Sequence, residues 1–257
     1  MALREHLVEL RNRLLVAAGA LIVGAVLGWF LYLPVLDALA EPVARVAEES
    51  GRTASLNFSN VIGALDLRIK VSIFIGVIVS SPVWIYELWA FITPGLTQKE
   101  RRYALGFMFS AVPLFLAGAY LAFLSVPNFV QFLLEFTPVD GSNVIDATLY
   151  LSFVMRVILG FGVSFLVPVV LVALNFVGLI SGRAMLRAWR WVVVAAFTFA
   201  AVATPTPDIL SMFLLALPLL LLFCIAICIA LLNDRRRRRR SGEPDLSHLA
   251  DDEASAL

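Results

Sequence analysis

Six long apolar runs, separated by short polar stretches, dominate the pattern along the chain. All but the fifth approach or exceed the length of about 20 residues that a helix needs to cross the hydrocarbon core of a membrane. The sequence lacks the short alternating segments of a barrel, so helices are the structure that satisfies the backbone in lipid. The predicted spans are residues 14–33, 71–91, 103–126, 149–176, 191–203 and 209–232.

Composition supports a membrane location. Of the 257 residues, 61% are hydrophobic and only 15% are charged, whereas soluble domains average about 25% charged residues. The fold class is therefore predicted to be all-α and integral to the membrane, with six transmembrane helices. The first run is too long for the apolar region of a cleavable signal peptide, about 7–15 residues, so it is predicted to be a retained span.

The basic residues predict the orientation of the spans. Four segments, with three, three, three and six residues, carry 15 of the 20 Lys and Arg residues. The segment 125–148 between spans three and four has none, but it has three acidic residues. Both termini are therefore predicted to be cytoplasmic. The four basic groups are Arg4, Arg11 and Arg13; Lys99, Arg101 and Arg102; Arg183, Arg187 and Arg190; and Arg235 to Arg240.

The chain divides into three predicted regions. Residues 1–13 form a cytoplasmic amphipathic helix at the interface, residues 14–232 form the membrane domain, and residues 233–257 form a polybasic and then acidic disordered tail. The outward loop 34–65 is predicted to contain a short interfacial helix. Span five, 13 residues long, rises about 20 Å against a core of about 30 Å. The six arginines after span six are interpreted as a topology signal that also contacts anionic lipids, rather than as a nucleic-acid-binding segment.

Enzyme motifs and metal-ligand spacings are not found in the sequence. Cys224 and Cys228 lie one turn apart in the last run and are interpreted as small apolar residues. His6 and His248 lie at opposite ends of the chain. The chain is therefore predicted to be no enzyme and to bind no cofactor or metal.

Carboxylates at the ends of spans have two interpretations each. Glu9 forms an i,i+4 pair with Arg13, which an exposed helix favours, or it is offered to a ligand at the cytoplasmic surface. Glu100 follows Thr97 in the pattern of a capping box, or it receives a positive ligand. Asp208 begins span six, where an acid is favoured at a helix N-terminus.

Arg156 is the one charge well inside a span. Ionisable residues in the membrane are costly, so Arg156 is a candidate intramembrane polar site that snorkels outward or pairs with Asp146 or Glu135. The alternative function, a small-molecule or ion secondary transporter, requires polar groups that converge at mid-membrane and broken helices in paired halves. The sequence shows neither a second such charge nor an internal repeat.

Four stretches together resemble the TatC subunit family of the twin-arginine protein translocase. They are "HLVELRNRL" (6–14), "SPVWIYELWAFITPGLTQKERR" (81–102), "YLSFVMRVILGFGVSFLVP" (150–168) and "TPTPDILSMFLLALP" (204–218). The resemblance implies a concave six-span bundle in the bacterial cytoplasmic membrane. It also implies binding of twin-arginine signal peptides and export of folded proteins driven by the protonmotive force. The implied partners are TatA-like and TatB-like single-span subunits in an oligomeric complex.

The same resemblance implies roles for individual residues. Those implied at the signal-peptide site are Glu9, Arg11, Phe91 and Glu100. Those implied at structural or partner-contact positions are Pro42, Pro82 and Asp208. The chain departs from the family at two positions, because Leu166 stands where members often carry Glu and Met212 where a Gln is common.

Overall fold

The structure is a computed structural model that describes residues 3–49, 54–57, 62–92, 98–135, 143–203 and 209–241. Within these ranges the chain forms nine α-helices and two short β-strands. In chain order they are α1 (Leu3–Phe30), α2 (Tyr32–Glu49), β1 (Ala54–Asn57), α3 (Gly63–Val79), α4 (Ser81–Ile92), α5 (Gln98–Glu135), β2 (Asn143–Asp146), α6 (Ala147–Val177), α7 (Gly182–Arg187), α8 (Trp189–Ala203) and α9 (Ile209–Ser241).

The segments predicted as spans are helical. Four helices are long and apolar enough to cross a membrane, and they lie in α1, α5, α6 and α9. The bent pair α3–α4 is a fifth candidate, and the shorter apolar helix of span five lies in α8. The all-α membrane fold is confirmed. The number of crossings and the side on which the termini lie stay predictions.

Helix α1 contains most of the segment predicted as an N-terminal amphipathic helix, residues 1–13, together with the first span. The amphipathic segment and the first span form one helix of 28 residues, from Leu3 to Phe30. The reason is local, since no Pro or Gly separates the two segments and good helix formers continue through the junction. The polar N-terminal turns of α1 therefore extend the axis of the first span.

Small residues bring α1 against α3. A side chain built on Gly24 would lie 2.8 Å from the Gly76 carbonyl oxygen, and one built on Gly28 would meet the Ser72 carbonyl oxygen. A side chain built on Gly76 would lie 2.8 Å from the Ala25 backbone nitrogen. The backbones thus approach as closely as small-residue contacts between membrane helices allow.

Span two, predicted as one helix over 71–91, is instead two helices with a bend of 61° between α3 and α4. Pro82 causes it, because proline has no N–H to donate to the carbonyl of residue 78 and its ring clashes with that carbonyl. The Trp84 indole Nε1 donates to the Val77 carbonyl at 3.0 Å, which satisfies a carbonyl at the break. The bend directs α4 along the N-terminal half of α1.

Helices α5 and α6 form the centre of the molecule through two matching contacts. Phe115 of α5 packs onto Gly162, where an added Cβ would lie 2.7 Å from its ring. Phe165 of α6 packs in the same way onto Gly118, again at 2.7 Å. Each aromatic ring occupies the space that a side chain on the facing helix would need, which fixes the relative position of the two helices.

The loop predicted to lie outside contains helix α2, as expected, and also an unpredicted strand. β1 pairs in parallel with β2, with Leu56 opposite Ile145. Both side chains are partly buried against the main core. The Tyr150 hydroxyl donates to the Leu39 carbonyl at 3.3 Å. These contacts connect the segment after span one to the start of span four.

Helix α9 continues to Ser241, so the first arginines after Leu232 are helical rather than part of a disordered tail. Asp234 explains the continuation. Its carboxylate accepts hydrogen bonds from the Asn175 side chain at 2.9 Å and from the Gly182 backbone N–H at 2.7 Å. It thereby joins α9 to the turn between α6 and α7. The rest of the predicted tail, residues 242–257, lies outside the described residues.

Candidate functional site

The N-terminal turns of α1 and the end of α4 meet at a charged cluster centred on Arg13. The Arg13 guanidinium donates to Glu9 Oε1 through Nη2 at 2.7 Å and through Nε at 3.1 Å. On its other side Nη1 donates to Glu87 Oε2 at 3.1 Å. One arginine is thus held between two carboxylates from different helices, with charge-assisted hydrogen bonds on both sides.

Chain geometry explains this arrangement. Glu9 and Arg13 are one turn apart on α1, so their side chains lie on one face of the helix. Glu87 lies 74 residues further along and reaches the same place because the bend turns α4 alongside α1. The side chains of Glu9, Arg13 and Glu87 keep 25%, 25% and 15% of their surface exposed. The cluster is therefore accessible from outside the protein.

A stacked pair of rings lies beside the cluster. His6 and Phe91 are parallel within 16°, with ring centres 4.5 Å apart. His6 precedes Arg13 on α1, and Phe91 follows Glu87 by one turn on α4. The two helices are therefore antiparallel here. They are held together by the Arg13–Glu87 ion pair and by the stacked His6 and Phe91 rings.

An open depression of about 480 Å³ lies on the same face of α1. Its lining residues are Glu5, Val8, Glu9, Asn12 and Arg13, of which only Val8 is apolar. Such a surface suits a cationic, partly extended ligand, because carboxylates bind the charges and the apolar floor contacts the chain between them.

The predicted signal-peptide residues are only partly brought together. Glu9 and Phe91 both belong to this region. Arg11 is exposed on another face of α1, where its guanidinium contacts the Asn12 side chain at 3.2 Å. The backbone of Glu100 lies in α5, but its side chain is outside the described residues, as is the predicted cap Thr97.

Glu87 is the residue that sequence reasoning missed. Its position near the cytoplasmic end of span two indicated a carboxylate in the headgroup zone. The signal that identifies it is its spacing from Phe91, since residues four apart share one helix face. Without the bend, however, nothing in the sequence places that face against Glu9 and Arg13.

The residues expected at structural positions have different environments. Pro42 is buried within α2, and Pro82 is exposed in the first turn of α4, at the bend. Asp208 lies outside the described residues. Leu166 is buried against α4 and α5 in a cluster that includes Trp89 and Phe115. Met212 is partly buried against the main core.

Arg156 lies on the exposed side of α6, about 14 Å from the first residue at a rise of 1.5 Å per residue. No side chain that the structure describes forms an ion pair with it. Asp146, one of its expected partners, instead caps α6 by accepting from the Leu149 N–H at 2.9 Å. The Glu135 side chain is outside the described residues.

The described residues contain no group of three or more His, Cys, Asp or Glu side chains that is arranged to hold a metal ion. Cys224 and Cys228 are free thiols on the exposed face of α9.

Comparison with known proteins identifies the family. Residues 5–218 match the family described as Sec-independent protein translocase protein (TatC). A TatC protein of Xylanimonas cellulosilytica is 50% identical over 200 residues, which is 78% of this chain and 72% of the relative. A TatC protein of Rothia mucilaginosa is 42% identical over 201 residues, 78% of this chain and 69% of the relative.

A solved structure agrees with the sequence relatives. A crystal structure of the twin-arginine translocase receptor TatC superposes with a TM-score of 0.74 and is 32% identical in sequence. The match covers 90% of this chain and 100% of that one. These relatives do not favour the alternative of a small-molecule or ion transporter. The chain therefore belongs to the TatC family of Sec-independent protein translocase proteins and is a multi-pass protein of the bacterial cytoplasmic membrane.

Proposed function

We propose that this chain is the receptor component of a twin-arginine translocase, and that its α1–α4 site binds the paired arginines of signal peptides. The observation that carries the proposal is the guanidinium of Arg13, held by Glu9 at 2.7 Å and by Glu87 at 3.1 Å. The site thus already has the acceptor carboxylates, at the distances that an arginine ligand requires.

The rings and the depression support a peptide rather than a small ion as the ligand. Phe91 and His6 place two stacked rings beside the carboxylates. Val8 adds an apolar side chain to the lining of the depression. A peptide whose arginines bind the carboxylates can place its neighbouring side chains on these surfaces, which a metal ion or a small cation cannot use.

Glu100 and Arg11 complete the proposed site by family resemblance. Glu100 belongs to the first turn of α5, which begins at Gln98. Glu100 can both cap α5 and bind an arginine. The hydrogen bond by which its carboxylate caps the helix would also fix the position of that carboxylate for an incoming arginine. Arg11 supplies positive charge next to the site, so the carboxylates must bind the ligand in competition with it.

The same proposal includes the partners and the energy source. Single-span TatA-like and TatB-like subunits assemble with this chain into an oligomer, and the protonmotive force drives export of folded cargo. Pro42, Pro82 and Asp208 are proposed as structural or partner-contact positions, and Arg156 as an intramembrane polar site. Exposed arginines near the ends of α6 and α9 are proposed to contact anionic lipids. They are Arg183, Arg187, Arg190, Arg235, Arg236 and Arg237.

The test is the affinity of the purified full chain for a synthetic signal peptide with paired arginines, against the same peptide with paired lysines. Glu9→Gln keeps the side-chain size and removes the charge. We expect it to weaken binding of the arginine peptide about five- to tenfold, since a partly exposed charge-assisted hydrogen bond is lost. Glu100→Gln, which can still cap α5, is expected to act in the same direction.

The matched control is Glu41→Gln. Glu41 forms an i,i+4 ion pair with Arg45 on α2, far along the chain from the α1–α4 site. This variant loses the same kind of pair and is expected to bind the peptide like the wild type. Equal binding of the arginine and lysine peptides by the wild-type chain would refute the receptor function. If the Glu9→Gln variant folds and binds the peptide as tightly as the wild type, Glu9 is not part of the binding site.

A further inference from the structure

Arg13 already makes the contacts that a peptide arginine would make. Its Nε and Nη2 atoms bind Glu9, and its Nη1 atom binds Glu87. A guanidinium has a rigid fork that can join two carboxylates in this way, whereas an ammonium is a point charge. The unliganded site therefore contains an arginine supplied by the chain itself.

We propose that Arg13 is an internal competitor that occupies the signal-peptide carboxylates until an incoming arginine displaces it, and that Glu87 is a second acceptor beside Glu9. This inference rests on the proposed function, since it specifies how the same site receives its ligand. The proposal adds Glu87 to the site as an acceptor. It also means that, without a ligand, Arg13 blocks the carboxylates that would bind the peptide.

The exposure of the cluster makes such an exchange feasible. Arg13 and Glu9 each keep 25% of their side-chain surface exposed, so water can replace each broken hydrogen bond during the exchange. An ion pair that water can reach holds its partners less firmly than one buried in the interior. A deeply buried arginine between two carboxylates would instead be fixed, because removing it would leave unpaired charges out of water.

The charge balance favours a dicationic ligand. Two carboxylates face one guanidinium, so the formal charges of Glu9, Arg13 and Glu87 sum to −1. When Arg13 turns outward, two acceptor carboxylates remain for two peptide arginines. A ligand with a single arginine replaces only what Arg13 already provides, and therefore gains little by the exchange.

The competitor role is tested by the affinity of the full chain, purified in detergent, for the paired-arginine peptide. Arg13→Gln removes the competitor, and we expect the peptide to bind about three- to tenfold more tightly. Arg13→Lys keeps the charge but cannot hold two carboxylates with one fork. It is expected to bind more tightly than the wild type and less tightly than Arg13→Gln.

Arg13→Lys also separates competition from simple repulsion. If only the charge of Arg13 opposes the peptide, the lysine variant binds like the wild type, and the competitor role is wrong. Unchanged or weaker binding by both variants also overturns it and makes Arg13 a structural link between α1 and α4. Arg45→Gln, which breaks the matched pair on α2, is expected to change nothing.

The role of Glu87 is tested in the Arg13→Gln background, where Glu87 has no arginine of this cluster to hold. We expect the additional Glu87→Gln change to weaken peptide binding about three- to tenfold. No effect in this background would show that Glu87 serves only to hold Arg13. A wild-type chain that fails to prefer arginine over lysine peptides would refute the proposed function, whereas a preference with no gain in Arg13→Gln refutes only this inference.

Discussion

At the residue scale, Leu166 shows how one substitution changes what a helix does. Members of the family often carry Glu at this position, but here Leu166 is 6% exposed and packs with Ile85, Trp89 and Phe115. A carboxylate among these side chains would be desolvated and would require a partner. The leucine instead makes this part of α6 a packing surface against α4 and α5.

Truncation of Leu166 is therefore expected to be costly. Leu166→Ala removes buried methyl groups and leaves a cavity, which typically costs about 2–5 kcal/mol. Val163→Ala on the same helix is the control, because Val163 is 50% exposed and contributes little to the core. Denaturant unfolding of the purified protein in detergent measures both. Equal losses for the two variants would contradict the packing role of Leu166.

The sequence predicts residue contacts only when they are local. The Glu9–Arg13 pair follows from i,i+4 spacing, and the structure confirms it at 2.7 Å. The Arg13–Glu87 pair does not follow from any spacing, because it depends on the angle at which α4 leaves α3. Arg156 had two candidate partners in the sequence, and of these Asp146 is used as a helix cap.

At the element scale, close backbone contact between α1 and α3 determines whether the site is assembled. These two helices meet through Gly24, Gly28 and Gly76, where no side chain fits. α3 continues into α4, and α4 carries Glu87 and Phe91. A change in the α1–α3 contact would therefore shift Glu87 and Phe91 relative to α1.

Gly76→Val tests this connection. A side chain at Gly76 would lie 2.8 Å from the α1 backbone, and overpacking of this kind costs about 1–3 kcal/mol or more. We expect a lower unfolding midpoint and weaker binding of the paired-arginine peptide. The control is Gly19→Val on α1, because a side chain at Gly19 meets nothing within 4 Å. Equal effects of the two changes would rule out a specific contact at Gly76.

The helices themselves were largely predictable, whereas the angles between them and the pairing of distant segments were not. Apolar length indicated each span, because the requirement to cross the membrane acts on local composition. The 61° bend at Pro82 was missed, although a proline in the interior of a predicted helix is itself a signal for a kink or break. The β1–β2 pair was missed because its two short segments are far apart in the sequence.

At the scale of the whole molecule, the arrangement places the ligand site where the charge pattern predicts the cytoplasm. Glu9 lies on the segment that carries the first basic group, and Glu87 lies on α4, before the α5 segment that carries the second. Span five remains short, with 15 residues in α8, or about 22 Å at 1.5 Å per residue.

The most direct test of the account asks where the peptide lies. A photoreactive amino acid replaces Val8, which lines the depression beside Glu9, and the chain is irradiated with the paired-arginine peptide. A probe at Leu33, which is 64% exposed in α2, serves as the control. The account predicts a covalent adduct from position 8 that disappears with the paired-lysine peptide, and none from position 33. Equal adducts from both positions, or with both peptides, would contradict it.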